Sequence, residues 1–377
     1  MNRVHRERLR IVVDARPLSH PQAGGFRAYT RALVQGFSAA TSETSEAVQL
    51  IWYLDRPLPP EIEAGLPPNT ETRLLSLNRI TADLLLFPRQ IRRDRPDLVH
   101  GTANYLPSRL PAPQTIAIHD AFGIRTYPWE HDVRRNFREW LMNRYWRVMT
   151  WLSARRARRI VAPSDSAARE LRDALKLPEE RFAVVNIGVS PSLLSNNPHR
   201  EANTVLAIAS ADPRKNSTCL YHALRCKEWF PVPPFLWLVC SHDKAAQEAR
   251  RMLEHAGITD FHCWIQPDNR TLSDLYRRAT AFVWTSRGEG FGLPPVEAMR
   301  AGCPVVSSCA PAMPEVLEDT PRYFDPCNSE ELARELGELL LSPNEQAVRS
   351  RRGQSIAARY TVARMAEETV RVWREAA

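Results

Sequence analysis

Glycine and lysine are both scarce in this chain, and it contains no long hydrophobic run. The 377 residues include 14 glycines and only four lysines, so glycine stands at about half its average usage. No stretch approaches the roughly 18 to 20 apolar residues that span a bilayer. Residues 1–10 are basic and lack the apolar segment of a signal peptide. The sequence therefore predicts neither a membrane-spanning nor an exported protein.

All seven cysteines lie between Cys219 and Cys327, and none belongs to a Cys-x-x-Cys pair. This odd number without paired spacing indicates neither a disulfide framework nor zinc ligands. The sequence also lacks an Asp-x-Asp triad and any histidine–aspartate cluster with the spacing of metal ligands. We expect reduced thiols, a cytoplasmic location and no metal or other bound cofactor.

What is present is typical of a globular protein with an uneven charge. The chain is 44% hydrophobic and 25% charged, and its length favours two domains. Its net charge is +8, but residues 1–190 hold 29 basic against 20 acidic side chains, whereas residues 191–377 hold 22 against 23. The whole positive excess therefore lies in the N-terminal half.

Short apolar runs alternate with longer amphipathic segments along the chain. The runs are continuous rather than alternating, as in buried parallel strands, and the alternation predicts an α/β protein. The series restarts after a segment rich in Ser, Asn and Pro, Ser190–Asn203. We predict doubly wound domains over 1–192 and 200–355. A C-terminal helix within 356–377 is expected to pack back on the first domain.

Residues 287–308, RGEGFGLPPVEAMRAGCPVVSS, form the most distinctive segment. A strand ending at Thr285 runs into a glycine-containing turn, and Pro294 and Pro295 favour a helix start. Gly290 and Gly292 would let a ligand approach the backbone, and the helix N-terminus is suited to a diphosphate. Glu289 and Glu297 could accept hydrogen bonds from two sets of hydroxyl groups on one ligand.

Two further segments follow predicted strands. Asp212-Pro-Arg-Lys-Asn216 places Arg214 and Lys215 together, and two adjacent cations can clamp a phosphate, although a solvated basic turn would look the same. His119 and Asp120 end the strand predicted at 115–119. Ligands of open α/β sheets bind beyond such strand ends, where a histidine can donate to a sugar hydroxyl or move a proton.

The segment Arg134–Arg159 is basic and rich in aromatic residues. Its apolar positions at helical spacing predict a core-facing stripe, formed by Phe137, Leu141, Tyr145, Val148 and Leu152. The arginines, among them Arg138, Arg144 and Arg147, are interpreted as a solvated face or as a contact with an anionic membrane or a polyprenyl-diphosphate acceptor. Nucleic acid is not expected as a partner, since no binding module accompanies the charge.

These strings resemble the retaining GT-B glycosyltransferases of family 4 over residues 10 to 360. EGFGLPPVEAM followed by Pro314-Glu-Val316 is similar to the E-x7-E region of the mannosyltransferase-like branch, and VVDARPL with the loop at Gly24 and Gly25 is similar to its N-terminal pattern. The resemblance implies two Rossmann-like domains facing across a cleft. It further implies donor contacts from Arg214, Lys215, Asn216, Glu297, Gly25 and residues Gly290, Phe291, Gly292 and Leu293, and sugar contacts from His119 and Glu289. Asp120 would orient the imidazole or lie nearer the acceptor.

The implied activity is transfer of a hexose, with mannose from GDP-mannose favoured, to a glycan or lipid-linked oligosaccharide of a bacterial surface polysaccharide. The enzyme would be cytoplasmic and peripheral to the inner face of the membrane. Arg27, Ala28, Ala209 and Ile265 depart from the family pattern. These departures leave a catalytically reduced sugar-nucleotide-binding homologue as one alternative, and a sugar-nucleotide epimerase is another.

Overall fold

A computed structural model describes residues 8–19, 24–67, 70–75, 81–107, 110–127, 137–190, 200–210 and 212–377. The chain divides into two compact units. The first takes the described residues up to Ser190 together with Tyr360–Ala377, and the second takes those from 200 to Arg359.

The N-terminal unit is built on a seven-stranded parallel sheet in the order β3-β2-β1-β4-β5-β6-β7. Its strands are β1 Leu9–Asp14, β2 Val48–Leu54, β3 Glu71–Leu74, β4 Leu98–Gly101, β5 Gln114–Ala117, β6 Arg159–Ala162 and β7 Phe182–Val184. Its helices are α1 Arg16–Ser19, α2 Gly25–Ala39, α3 Ser42–Glu46, α4 Pro60–Glu63, α5 Phe87–Asp94, α6 Phe137–Arg156, α7 Asp165–Leu175 and, at the C-terminus, α15 Val362–Ala376. A π-helical turn, Ala82–Leu86, precedes α5. The central strands are buried on both faces, as their continuous apolar sequences predict.

The C-terminal unit is built on a six-stranded parallel sheet in the order β10-β9-β8-β11-β12-β13. Its strands are β8 Thr204–Ala209, β9 Phe235–Cys240, β10 Phe261–Ile265, β11 Ala281–Trp284, β12 Val305–Ser308 and β13 Arg322–Phe324. Its helices are α8 Ser217–Ala223, α9 Asp243–His255, α10 Asn269–Arg278, α11 Leu293–Arg300, α12 Met313–Leu317, α13 Ser329–Leu340 and α14 Pro343–Ala357. The strand order reverses between β8 and β11, and such a switch point is where open α/β sheets bind ligands.

Helix α15 belongs to the N-terminal unit although it ends the chain. It packs along α2, where a Cβ at Gly36 would collide with the carbonyl of Val362. Trp373 is fully buried, stacked on Phe37 with ring centroids 5.5 Å apart and edge-on to His100 at 5.3 Å. The return of the chain therefore completes the core of the first unit.

The prediction that the apolar stripe of α6 faces the core is wrong. Leu141, Tyr145 and Val148 have exposed fractions of 51%, 37% and 52%. The inward side of the helix carries small residues instead, with Thr150, Ser153 and Ala154 buried. Helical spacing identified positions that share a side but not which side the sheet covers. Within the described residues, no helix is long and apolar enough to cross a bilayer.

Candidate functional site

The Asp212–Asn216 segment and the loop after β11 are joined by a set of hydrogen bonds in the C-terminal unit. The backbone carbonyl of Arg214 accepts from the Arg287 amide at 2.8 Å, and that of Lys215 accepts from the Thr285 hydroxyl at 2.7 Å. The Asn216 amide donates to the carbonyl of Thr285 at 3.2 Å. Two segments about 70 residues apart in sequence thus meet at the sheet switch point.

Asn216 holds the turn between these two segments in place. It has a left-handed backbone, φ 54°, which asparagine tolerates better than most residues, and its side chain is buried. Its amide also donates to the carbonyl of Pro326 at 2.8 Å. Because both donor hydrogens are engaged by main-chain carbonyls, Asn216 positions the turn that presents Arg214 and Lys215.

Lys215, Arg214 and Glu289 form a compact charged group. Lys215 Nζ lies 2.6 Å from Glu289 Oε1, and Arg214 Nη1 lies 3.5 Å from Glu289 Oε2. Burial alone would raise the pKa of Glu289, but Lys215 and Arg214 outweigh it and hold that pKa below the ordinary value. Glu289 is therefore a carboxylate at neutral pH, a hydrogen-bond acceptor rather than a proton donor.

Trp284 lies beside these cations. The Lys215 ammonium stands 4.6 Å from the centre of the Trp284 ring, a cation–π arrangement. Sequence reasoning did not single out Trp284, whose only signal was its place directly before the glycine-containing turn. The two adjacent cations, Arg214 and Lys215, suit a polyanionic ligand.

The glycine-containing turn leads directly into α11. Gly292 is its N-cap with φ 82°, and a Cβ there would overlap the terminal methyl of Met313, so the position requires glycine. Leu293 is the first residue of the helix, and Phe291 is buried. The first amides of the helix, from Leu293 onward, have no intrahelical partner, and such a helix end suits an anion.

Glu297 lies one turn inside α11, in a different environment from Glu289. It accepts from the Tyr276 hydroxyl at 3.2 Å. Desolvation by burial raises the pKa of Glu297 to about 7, and the Tyr276 hydrogen bond opposes this only in part. Tyr276, buried on α10, is a partner that nothing in the sequence indicated. The two glutamates of the E-x7-E pattern are thus electrostatically distinct, one held ionised by cations and the other titrating near neutrality.

In the N-terminal unit, His119 lies in the loop that follows β5, two residues beyond the strand end at Ala117. Its Nε2 lies 3.0 Å from the carbonyl of Thr102, and its main-chain amide donates to Asn104 Oδ1 at 3.0 Å. Because a carbonyl only accepts, Nε2 carries the hydrogen and Nδ1 is left as an acceptor. Packing against Tyr29, 4.6 Å between ring centroids, accompanies a burial that lowers the pKa of His119 to about 4. His119 is thus a neutral acceptor.

The other predicted residues of this unit are placed as follows. Asp120 accepts from the Phe122 amide at 3.2 Å and caps the loop after His119. Gly25 is the first residue of α2, and a Cβ there would meet nothing within 4 Å. Arg144 stacks on the Trp140 ring at 5.5 Å, whereas Arg147 donates to the carbonyl of Ile124 at 2.6 Å and so fastens α6 to the loop. Arg138 lies outside the residues whose side chains the structure describes.

The departures from the family pattern also have defined places. Ala209, at the end of β8, is buried, and Ile265, at the end of β10, is 40% exposed. Arg27 and Ala28 lie in the first turn of α2. In the described part of the chain, no group of three or more His, Cys, Asp or Glu side chains has the arrangement of a metal site.

Two protein-family models match this chain. The Glycosyltransferase Family 4 model matches residues 24–193, and the model "Glycosyl transferases group 1" matches residues 194–355. The chain is 33% identical over 198 residues to an MMP α-(1→4)-mannosyltransferase of Mycolicibacterium hassiacum, covering 51% of this chain and 47% of that protein. It is 25% identical over 393 residues to O-antigen chain mannosyltransferase B of Escherichia coli, covering 97% of this chain and all of that protein. The chain thus spans about half the length of the first relative and the full length of the second.

Solved structures with the same architecture share less sequence. Sucrose-phosphate synthase of Thermosynechococcus elongatus is 18% identical, with a TM-score of 0.76 over 98% of this chain and 99% of that one. HepE of Anabaena, solved with UDP-glucose, is 18% identical with a TM-score of 0.74 over 97% of this chain and all of that one. WaaG, a glycosyltransferase involved in lipopolysaccharide biosynthesis, is 14% identical with a TM-score of 0.71 over 97% of this chain and 99% of that one. The two family models and these neighbours place the chain among the family 4, group 1 glycosyltransferases with the GT-B fold.

Proposed function

We propose that this protein transfers a hexose from a nucleoside-diphosphate sugar to a hydroxyl group of a glycan or polyprenyl-diphosphate-linked acceptor, with retention of anomeric configuration. The observation that carries the proposal is the 2.6 Å contact between Lys215 and Glu289, beside the N-terminus of α11. It brings two cations, an ionised acceptor and a helix dipole to one sheet switch point. Such a set suits a diphosphate joined to a sugar.

The leaving diphosphate is the group on which we expect catalysis to depend. Charge develops on it as the bond to the anomeric carbon breaks, and preorganised donors stabilise that charge without reorganisation. Lys215 and Arg214 supply the positive charge, and the amides of Gly290 to Leu293 supply oriented dipoles. Asn216 holds the turn in place. No divalent metal is needed in this scheme, and we expect turnover to persist in EDTA.

The carboxylates and His119 would orient the donor. Glu289, ionised by its cation neighbours, would accept from hydroxyls of the transferred sugar, and Glu297 would accept from the ribose. His119, with Nε2–H engaged by Thr102, would accept a sugar hydroxyl hydrogen at Nδ1. None of the three serves as a nucleophile in this proposal. The attacking hydroxyl would approach the face from which the phosphate leaves, and the departing phosphate would take its proton.

Mannose from GDP-mannose is the favoured donor because the curated relatives are named as mannosyltransferases. The O-antigen relatives favour a surface polysaccharide as the acceptor class. The reaction would take place in the cytoplasm, to which the seven unpaired cysteines are suited.

The experiment is nucleotide release from a panel of GDP-, UDP-, dTDP- and ADP-sugars, with and without a lipid extract, in buffer containing EDTA. Lys215→Gln should reduce release from the preferred donor by 100-fold or more, which corresponds to about 2.7 kcal/mol of transition-state stabilisation. Lys227→Gln, an exposed lysine of the same unit, is the matched control and should retain the wild-type rate. Proton NMR of the product would report the anomeric configuration. Release that is absent for every sugar, or equal in both variants, would refute the proposal.

A further inference from the structure

Helix α6 is held in the N-terminal unit by its small residues. The Ser153 hydroxyl accepts from the Leu106 amide at 3.0 Å, and the carbonyls of Met149 and Leu106 lie 2.7 and 3.1 Å from it as acceptors for its one hydrogen. Thr150 and Ala154 are buried on the same side. The large apolar residues of this helix are therefore left at the surface, the reverse of an ordinary amphipathic helix.

Another side of the helix carries what we call the outer stripe: Trp140, Arg144, Val148, Trp151 and Arg155. Their spacings of four, four, three and four residues place them along one side of a helix. Trp140, Val148 and Trp151 have exposed fractions of 48%, 52% and 40%. The Arg144 guanidinium lies over the Trp140 ring at 5.5 Å and that of Arg155 over the Trp151 ring at 4.3 Å. Each tryptophan is thus covered by a cation one turn away.

Further large apolar side chains of this unit are exposed. Leu141 of α6 is 51% exposed, and Leu84 and Leu85, in the π-helical turn, are 65% and 64% exposed. Tyr105 links this turn to α6, with its hydroxyl 3.3 Å from Asp83 and its ring 4.9 Å from that of Trp146. Exposed apolar side chains of this size and number indicate an interaction site.

The charge of the helix identifies the partner. Residues 137–156 contain five arginines and one glutamate, in the half of the chain that holds the whole basic excess. Tryptophan and arginine together at an exposed apolar face are the residues of a membrane–water interface, where the ring enters the headgroup region and the guanidinium binds lipid phosphate. A second copy of this chain would instead oppose arginine to arginine. A soluble glycan would not require exposed leucine and valine.

We propose that the outer stripe docks this protein on the surface of an anionic lipid bilayer, with α6 in the plane of the interface. The proposal deepens the function proposed above, because it brings the protein to the membrane where a polyprenyl-linked acceptor resides. The binding itself requires neither donor nor acceptor.

The test is co-sedimentation of the full chain with vesicles of phosphatidylcholine, with and without 30% phosphatidylglycerol, in 0.1 M NaCl and no sugar nucleotide. We expect binding to the anionic vesicles that weakens in 1 M NaCl. Arg144→Gln/Arg155→Gln should lower the partition coefficient about 30-fold, since each basic residue near an anionic surface contributes about a factor of five. Leu141→Ser/Val148→Ser should lower it at least tenfold.

Matched controls come from the other unit. Val232→Ser/Leu341→Ser removes two apolar side chains of the same types that are 70% and 68% exposed, and Arg225→Gln/Arg251→Gln removes two exposed arginines. Both control proteins should bind vesicles as the wild type does. Equal losses in stripe and control variants, or no preference for anionic vesicles, would overturn the proposal. The proposal would also be overturned if the wild-type protein self-associates and does not bind vesicles, and if Leu141→Ser/Val148→Ser abolishes that self-association.

The vesicle-binding assay and the nucleotide-release assay test the two proposals independently. A protein that binds anionic vesicles but releases no nucleotide from any donor would keep the docking surface and refute the proposed activity. A protein that releases nucleotide but does not bind vesicles would support the proposed activity and refute the docking surface.

Discussion

Replacing Glu297 with glutamine should stabilise the protein and, at the same time, impair donor use. Burial raises the pKa of Glu297 to about 7 from an ordinary 4.5. The folded state therefore holds this proton more tightly than the unfolded state, and the free energy of unfolding falls as pH rises between about 4.5 and 7. Above pH 7 the ionised carboxylate remains as a constant cost that glutamine does not carry.

The size of the effect follows from the shift. A change of about 2.5 pKa units corresponds to about 3 kcal/mol. Since Glu297 is only half-buried, water screens part of this cost, and we expect Glu297→Gln to gain about 1 to 2 kcal/mol at pH 8. At pH 4 the protonated acid and the amide are nearly alike, and each can accept from the Tyr276 hydroxyl, so the gain should vanish.

The assay is urea unfolding of both proteins at pH 4, 6 and 8, followed by tryptophan fluorescence. Glu254→Gln, an exposed glutamate of the same unit, is the control and should show no pH-dependent gain. If Glu297→Gln is no more stable than the wild type at pH 8, or gains equally at pH 4 and pH 8, burial does not raise the pKa of Glu297. We expect Glu297→Gln to lose donor turnover although it is more stable, because functional groups are often kept at a cost in stability.

Three further predictions follow from single positions. Gly292→Ala should lower the free energy of unfolding by more than Gly257→Ala, because both residues have positive φ but only Gly292 lacks room for a Cβ; equal thermal midpoints would contradict this. Trp373→Ala should cost about 3 to 5 kcal/mol through the cavity it leaves in the first unit, and retention of wild-type urea stability would show that α15 is not part of that core. The imidazole of His119 should titrate near pH 4 by NMR, and a midpoint near 6.5 would contradict the conclusion that burial lowers its pKa.

Much of the fold was predictable because the strands are buried on both faces. A strand covered by helices on either side reads as a continuous apolar run, and runs such as Leu98–Gly101 and Phe235–Cys240 coincide with observed strands. Strand Glu71–Leu74 was missed for the same physical reason. It lies at the sheet edge with a half-exposed, mostly polar sequence, so nothing in its composition marks it as a strand.

The candidate site was predictable in its members but not in their chemistry. From the sequence one can predict that cations, glycines and two glutamates follow the strands of a parallel sheet. The folded structure pairs Lys215 and Arg214 with Glu289 and places Tyr276 against Glu297, and this sets the pKa of one carboxylate below and that of the other above its ordinary value.

Helix α6 shows the same division most plainly. The helical periodicity places Leu141, Tyr145 and Val148 on one side. The side that packs inward is instead the one with small residues such as Ser153, which fit against the segment at Leu106. Local sequence determines which residues share a face, because that depends only on the helical repeat. Which face is buried depends on the shape of the surface it meets, and distant segments build that surface.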